Sequence, residues 1–315
     1  MHVRQWGEVR QGFQSVSTRR INWNSPAYRL YEKAKKYGTW DPKELDFSQD
    51  VEDWKKLSDL EKDYVLNLVS LFISGEEAVT LDLVPLLSAI GRRGELEDEM
   101  YLTTFVFEEA KHVEFFARWL DAIGVTEDLT RFHGENYRKI FYEELPQVMD
   151  QLITDVSDEA LIRAATTYNM IAEGTLAETG YYAFRAALKK NGLMPGLLKG
   201  IDYTNRDEGR HIGYGTYLIS RLVNQNPQNF QVFQEQMNKL LPYAIGLTTE
   251  RGEENAGAFG LPFGFTTEYA QKQFSIRMSK IQRAMKQSLQ ELEEETNREF
   301  DELDTSLDEE MNTAS

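Results

Sequence analysis

The chain has 315 residues, no cysteine and a net charge of −17 at neutral pH. Without cysteine there are no disulfides or thiolate sites, so any metal must be held by carboxylate and imidazole groups. The acidic balance argues against nucleic acid or an anionic membrane as a partner. No apolar run approaches the roughly 18 residues of a membrane span, and the first residues lack the apolar core of a signal peptide. We therefore expect a soluble, cytoplasmic protein.

The spacing of apolar residues predicts an all-α protein with almost no β-sheet. Residues 1–57 are expected to form an irregular arm with aromatic anchors and a short helix at about 27–36. Ser58 and Glu61 form a capping box that predicts the start of a long helix. This helix should run to about Ile90, with a kink at Pro85. Further helices are predicted at about 95–123, 135–152, 157–191, 195–224 and 230–252, and a last one from near Thr267 after a glycine-rich loop at 257–264.

The C-terminal end carries much of the negative charge. Residues 291–315 contain eleven acidic residues and one basic residue. We predict one domain over residues 1–290 and an acidic, mobile tail over 291–315. Its first residues could prolong the last helix, but past Asp301 the segment has little to bury.

Two Glu-x-x-His pairs are the main functional signal. Glu109 and His112, and again Glu208 and His211, lie three residues apart and share a helix face. Both pairs lie in apolar surroundings, where an unpaired buried charge costs several kcal/mol or more. A bound metal is the simplest reason to bury them.

Di-metal carboxylate bundles add one Glu from each of two further helices. Glu76 shares the apolar face of the first long helix, and Glu173 occupies the matching place before the second motif. Glu76 precedes Glu109 by 33 residues and Glu173 precedes Glu208 by 35, so each half of the chain carries one Glu and one Glu-x-x-His. This approximate internal repeat favours a dinuclear site.

The charges of the predicted ligands balance those of two metals. Four buried carboxylates are neutralised by two divalent ions, and oxygen and imidazole ligands suit manganese or iron. Each imidazole also needs an acceptor for its other N–H, for which Asp207 and Asp202 are the candidates.

The remaining polar and aromatic residues near the motifs have simpler interpretations. Glu77, Glu108 and Glu178 are expected to be solvated or to support the ligands, and His133 to lie in a loop. Phe105, Phe107, Phe115 and Phe116 are expected in the core.

From about Gly12 to Met285, the chain resembles the ribonucleotide reductase small-subunit family, and more closely its ligand-binding oxidase branch. The residues that carry this resemblance are Glu76, Glu109-Ala110-Lys111-His112, Glu173 and Asp207-Glu208-Gly209-Arg210-His211. The resemblance implies a ferritin-like four-helix bundle core with additional helices, and a homodimer.

Two features favour the oxidase branch. A reductase subunit has a radical-forming Tyr one turn after the first His, where this chain has Phe116. It also passes the radical through a Tyr in its C-terminal tail, whereas residues 291–315 contain no Tyr or Trp.

The oxidase resemblance implies manganese in the half built by Glu76, Glu109 and His112, and iron in the half built by Glu173, Glu208 and His211. A di-iron pair is the alternative. It also implies O₂ as oxidant and a long-chain fatty-acid ligand in an apolar channel.

The same resemblance implies an ether bond between the Tyr168 oxygen and the β-carbon of Val79. Tyr168 lies five residues before Glu173, about 140° around an ideal α-helix. The sequence spacing alone therefore does not select it.

Other functions remain open from the residues alone. The enzymatic alternative is a tyrosine-free reductase small subunit. The others are a bundle that stores or senses metal and a purely structural bundle without metal.

Overall fold

The computed structural model describes residues 3–252 and 254–313, which contain twelve α-helices, two π-helical segments and no strand. The α-helices are α1 Pro26–Tyr37, α2 Ser48–Lys56, α3 Asp59–Arg93, α4 Leu96–Ile123, α5 Glu135–Arg138, α6 Leu145–Gln151, α7 Asp158–Ala165, α8 Glu178–Ala187, α9 Pro195–Gln225, α10 Asn229–Leu247, α11 Thr267–Ala284 and α12 Leu289–Thr313. The π-helical segments are Lys139–Glu144 and Thr166–Ala177, and short 3₁₀ turns lie at Gln14–Val16, Pro42–Glu44, Thr130–Phe132, Lys189–Asn191 and Ala258–Gly260. The predicted all-α class is confirmed.

Four long helical elements form the core bundle: α3, α4, the continuous run from α7 through the second π segment to α8, and α9. α3 ends at Gly94, which has a φ of 71° and closes the helix in the left-handed conformation that glycine adopts without strain. The chain then reverses into α4, so the two helices that carry Glu76 and Glu109 pack side by side. The ferritin-like bundle with additional helices is thus confirmed.

α3 begins with the predicted capping box. Ser58 Oγ accepts a hydrogen bond from the Glu61 amide, and the Glu61 carboxylate accepts one from the Ser58 amide. The helix continues past the predicted end at Ile90 to Arg93, with Pro85 inside it. By length and composition α3 could cross a membrane, but 56% of its most apolar window is buried inside the protein. This is the pattern of a core helix.

The predicted fourth helix is not α-helical throughout. Residues Thr166–Ala177, which include Tyr168 and Glu173, form a π-helix. A side chain at Gly174 would lie 2.8 Å from both the Asn169 carbonyl and Arg277 Nε, so glycine permits this wider winding. Hydrogen bonds from residue i to i+5 change the angular spacing of an α-helix. The 140° expected between Tyr168 and Glu173 therefore does not apply.

The arm before residue 58 contains a second helix, α2, that the sequence analysis did not predict. The Asp50 carboxylate of α2 accepts hydrogen bonds from the backbone amides of Gly196 (2.8 Å) and Leu197 (2.7 Å) and from Trp119 Nε1 (3.0 Å). An anion at the start of α9 satisfies unpaired amides and complements the helix dipole. α2 therefore fixes the origin of the helix that carries Glu208.

The C-terminal part of the chain differs from expectation in two places. α10 ends at Leu247 rather than near residue 252, and a loop follows it. α12 is a separate helix, and its Leu292, Thr296 and Phe300 are buried, with contacts to α9 and α1. Its first half is thus held on the bundle, while the domain division at residue 290 remains a prediction.

Candidate metal centre

The six predicted ligand side chains meet in the middle of the bundle. Glu76 projects from α3, Glu109 and His112 from α4, Glu173 from the second π segment, and Glu208 and His211 from α9. All six are buried; Glu76 and Glu173, the two chosen only by position, are 6% and 4% exposed. The two imidazole rings are 5.9 Å apart between centroids.

The donor atoms form two overlapping groups, and within each group they lie within 4.8 Å of one another. One group contains Glu76 and His112, and the other contains Glu173 and His211. Glu109 and Glu208 belong to both groups. The geometry thus makes these two carboxylates shared by both halves, whereas the sequence analysis had divided the ligands evenly.

Each imidazole turns Nδ1 toward the carboxylates. His112 Nδ1 lies 3.4 Å from Glu76 Oε2 and 3.5 Å from Glu208 Oε1. His211 Nδ1 lies 3.0 Å from Glu109 Oε1. The Nδ1 atoms and carboxylate oxygens therefore converge, as a metal would require.

The opposite ring nitrogens bind acids outside this group. His112 Nε2 lies 3.2 Å from Asp207 Oδ2, as predicted. His211 Nε2 lies 2.8 Å from Glu108 Oε2, which places Glu108 in a supporting role. Asp202 instead pairs with Arg185 at 3.0 Å, so the prediction that it supports an imidazole is wrong. Such acceptors set the tautomer and orientation of a metal-binding histidine.

Two buried cations balance the supporting acids. Lys111 Nζ lies 2.9 Å from Asp207 Oδ2, and Arg210 lies 2.7 Å from Glu108 Oε1 and also contacts Asp207. Trp40 Nε1 donates a hydrogen bond to Asp207 Oδ2 at 2.8 Å. Trp40 lies in the N-terminal arm, 167 residues before Asp207. No local sequence pattern could therefore predict this contact.

Burial makes three of the carboxyl groups harder to ionise. It raises the pKa of Glu76 and Glu173 well above the usual range, and that of Glu208 by a smaller amount. Neighbouring carboxylates add to the effect, because each disfavours a further negative charge. Without a cation, these three side chains resist ionisation.

Glu109 and Asp207 shift in the opposite direction. Burial is the largest single influence on the pKa of each group and disfavours the charged form. It is outweighed at Glu109 by the combined effect of His211 and His112, and at Asp207 by that of Arg210, His112 and Lys111. The pKa of each carboxyl is thus held well below its ordinary value. Both carboxylates lie within 3.2 Å of an imidazole nitrogen.

The centre also contains buried polar atoms without hydrogen-bond partners in the described part of the chain. They are Glu109 Oε2, Glu173 Oε1, Glu208 Oε2 and His211 Nδ1. Buried polar atoms are normally paired with a hydrogen-bond partner. These four are oxygen and nitrogen atoms of the kind that bind manganese and iron as ligands. The residues present therefore fit a pair of divalent ions.

Tyr168 and Asn169 lie on the π segment beside the centre. The Tyr168 hydroxyl donates to Glu109 Oε1 at 2.9 Å, and Asn169 Nδ2 donates to Glu173 Oε2 at 2.8 Å. Burial, followed by the nearby carboxylates, raises the pKa of Tyr168 well above its usual range, so the phenol stays protonated. Val79 of α3 lines the cavity next to the centre and belongs to the same buried apolar cluster as Tyr168.

The simpler interpretations of neighbouring residues mostly agree with the structure. Glu77 is exposed, and His133 lies in a loop, where it is buried against Ser70 and Ser74. Phe105, Phe115 and Phe116 are in the core, but Phe107 is 57% exposed, so its predicted core position is wrong.

A cavity of about 170 Å³ leads from the centre along α3. Its inner end is lined by Glu76, Glu109, Glu173 and Glu208, and its walls are mainly apolar. The α3 residues that line it are Tyr64, Asn67, Leu68, Leu71, Phe72, Gly75, Glu76 and Val79, a stripe with helical spacing. The far wall is formed by the loop that follows α10.

The fold and the buried carboxylate–histidine cluster together define a ferritin-like di-metal carboxylate protein. Comparison with known proteins narrows this class. The ribonucleotide reductase small-chain family matches residues 20–258. A solved R2-like ligand-binding oxidase with aerobically reconstituted Mn/Fe cofactor is 48% identical, with a TM-score of 0.83, covering 87% of this chain and 98% of that one. A single-residue variant of such an oxidase, reconstituted anaerobically, is also 48% identical over 86% of this chain and 98% of its own, with a TM-score of 0.82.

The chain therefore belongs to the ribonucleotide reductase small-chain family, in its branch of R2-like ligand-binding oxidases.

Proposed function

We propose that this protein is an O₂-activating two-electron oxidase with one manganese and one iron ion, held by Glu76, Glu109, His112, Glu173, Glu208 and His211. The observation that carries the proposal is the set of unpaired carboxylate oxygens converging at the closed end of an apolar cavity. When bound, the metal pair supplies O₂ binding and reduction. The protein supplies oriented ligands and a site from which most water is excluded.

Manganese is assigned to the half with Glu76 and His112, and iron to the half with Glu173 and His211. Intrinsic affinity favours iron over manganese in any nitrogen and oxygen site. The protein must therefore oppose this order through the geometry of its ligands. A di-iron pair is the competing composition, and metal analysis separates the two.

The ligand of the site is proposed to be a long-chain fatty acid or a similar amphiphile. From Glu76 to Tyr64 the cavity follows twelve residues of α3, which correspond to about 18 Å at the rise of an α-helix. An extended hydrocarbon advances about 1.25 Å per C–C bond, because bonds of about 1.5 Å zigzag at about 111°, so roughly fourteen bonds span that length. Its carboxylate would face the metals, and its chain would contact the apolar walls.

Val79 and Tyr168 are proposed to form an ether cross-link during the reaction with O₂. The C–H bond at the β-carbon of Val79 and the O–H bond of Tyr168 would break, and a C–O bond would form. This removes two protons and two electrons, which O₂ accepts. The step requires an oxidant, because replacing the C–H and O–H bonds by a C–O bond removes two electrons whatever the protonation state of the phenol.

A tyrosine-free reductase small subunit is the enzymatic alternative. Phe116, where a reductase has its radical-forming Tyr, is fully buried among apolar neighbours and has no oxidisable hydroxyl. An assay with a catalytic reductase subunit decides between the two functions. Robust ribonucleotide reduction would overturn the oxidase proposal.

The test of the main proposal combines metal analysis with intact mass before and after exposure to O₂. We expect one manganese and one iron per chain and, after O₂, the loss of two hydrogen atoms. Glu109→Ala should lose metal from both positions, whereas Glu77→Ala on the exposed face should retain it. Many irons per chain would indicate storage, and full metal content in Glu109→Ala would support a structural bundle.

We also propose a cytoplasmic homodimer. The outer faces of α3 and α4 expose Leu81 (72%), Val84 and Phe107, large apolar side chains that a second copy would cover.

A further inference from the structure

Away from the metal centre, toward the start of α3, the wall of the cavity contains polar groups. Asn67 of α3 lines it together with Arg251 and Asn255 of the loop after α10. Asn67 is only 8% exposed. Asn67 Oδ1, Asn255 Oδ1 and Arg251 Nε are buried and have no hydrogen-bond partner within residues 3–252 and 254–313. An unpaired buried polar atom costs about 1–3 kcal/mol, so three such atoms around one cavity indicate a ligand group that pairs with them.

The charge of Arg251 is already balanced. Its guanidinium lies 3.0 Å from Asp63 Oδ2 and 2.6 Å from Glu254 Oε2, and it covers the ring of Phe132. The carboxylate of Glu250 also lines this end. Arg131 also lies 3.4 Å from Asp63. A second anionic group on the ligand would therefore meet three carboxylates and two cations, and this excess of negative charge disfavours it.

The unpaired atoms require a neutral group that both donates and accepts. The two amide oxygens accept hydrogen bonds, whereas Arg251 Nε–H donates one. A hydroxyl group accepts from Arg251 Nε and donates to one of the two amide oxygens, while a methyl group would leave all three atoms unpaired. An unmodified fatty acid therefore matches this end poorly.

The position of these three atoms sets the distance between the carboxylate and the hydroxyl of the ligand. Asn67 precedes Glu76 by nine residues on α3, about 13.5 Å along the helix axis. An extended hydrocarbon advances about 1.25 Å per bond, because C–C bonds of about 1.5 Å zigzag at about 111°, so that distance corresponds to roughly eleven bonds.

We propose that the natural ligand is a long-chain acid carrying a neutral hydroxyl near the end opposite its carboxylate. This inference rests on the proposed function, in that the carboxylate occupies the metal end. It adds a specificity determinant, Asn67 with Asn255 and Arg251, at the other end of the cavity.

The experiment compares matched pairs of acids on the metal-loaded protein. Unsubstituted acids and their ω-hydroxy derivatives, of about twelve to sixteen carbons, are titrated by displacement of a fluorescent fatty acid. The hydroxy acid of best length should bind up to about tenfold more tightly than its unsubstituted partner. Equal affinity across all pairs would overturn the inference and leave the proposed function intact, whereas no binding of either class would overturn both.

Variants assign the preference to this end of the cavity. Asn67→Leu should abolish the preference for the hydroxy acid, because only the binding of the hydroxy acid becomes weaker. Asn255→Leu should reduce the preference. Leu71→Met changes an apolar wall residue one turn away and should keep the preference. Metal content and circular dichroism confirm that each variant is folded. A preference that survives in both asparagine variants would refute the assignment.

Discussion

The hydrogen bond from Tyr168 to Glu109 allows a test that separates stability from chemistry. Tyr168→Phe removes a hydroxyl that donates to a buried carboxylate at 2.9 Å. A hydrogen bond to a charged group contributes about 1.5–3 kcal/mol. Glu109 Oε1 keeps His211 Nδ1 at 3.0 Å, so we expect a loss near the lower end of that range.

The size of the protein determines how large a Tm shift this loss of unfolding free energy produces. At about 2.1 cal/mol/K per residue, the entropy of unfolding of 315 residues implies a Tm change of about 1.5 °C per kcal/mol. The metal-free Tyr168→Phe variant should therefore melt about 2 °C below the parent protein, and at most about 5 °C below it. Differential scanning calorimetry resolves a shift of this size.

Tyr181→Phe is the matched control. Tyr181 is also fully buried, but within the described chain its hydroxyl has no hydrogen-bond partner. Removing an unpaired hydroxyl should leave the free energy of unfolding unchanged or increase it slightly. A loss in Tyr181→Phe equal to that in Tyr168→Phe would show that the bond to Glu109 contributes nothing specific.

The same pair of variants tests the ether cross-link. After metal loading and exposure to O₂, the parent protein and Tyr181→Phe should each lose two hydrogen atoms, and a peptide containing Val79 should remain linked to one containing residue 168. Tyr168→Phe should keep its full mass. Loss of two hydrogens in that variant would refute the role assigned to Tyr168.

Three further outcomes are expected. The pKa values of Glu76, Glu173 and Glu208 are raised, so these groups ionise first in the unfolded chain, and their contribution to metal-free stability falls as pH rises above 4.5. Because metals need the ionised form, the Tm gained on adding Mn and Fe should grow from about pH 5 to about pH 8. A gain that does not change with pH would contradict this. Asp207→Asn should weaken metal binding by about 10–100-fold in a chelator competition. Asp202 pairs with Arg185 instead of an imidazole, so Asp202→Asn should bind metal normally. Equal effects of the two variants would show that Asp207 does not support metal binding. Leu81→Glu should shift the protein from dimer to monomer in sedimentation analysis with its metal content retained, and an unchanged dimer would place the interface elsewhere.

Periodicity in the chain was enough to predict the long helices, though not α2 or the π-helical segments. Together with the ligand pattern of di-metal carboxylate bundles it was also enough to predict the four carboxylates and two histidines. Residues three or four apart on an α-helix share a face whatever surrounds them, because backbone geometry sets that spacing. A Glu or His on an apolar face then needs a partner, since its buried charge is costly. These two local rules led to the metal centre before any contact between helices was known.

Contacts between distant parts of the chain needed the tertiary structure. The π-helical winding that accommodates Tyr168, the sharing of Glu109 and Glu208 between both halves, and the pairing of Asp207 rather than Asp202 depend on how each helix is rotated against its neighbours. The same is true of Trp40, which reaches Asp207 across 167 residues.

The chain by itself thus determined which residues share a helix face and which of them cannot stay unpaired. Only the folded bundle decided which faces meet, which acids support each imidazole, and which distant residues line the cavity beside Asn67. Spacing along a helix follows from covalent geometry, whereas the meeting of helices follows from side-chain packing over the whole core, which no short stretch of sequence contains.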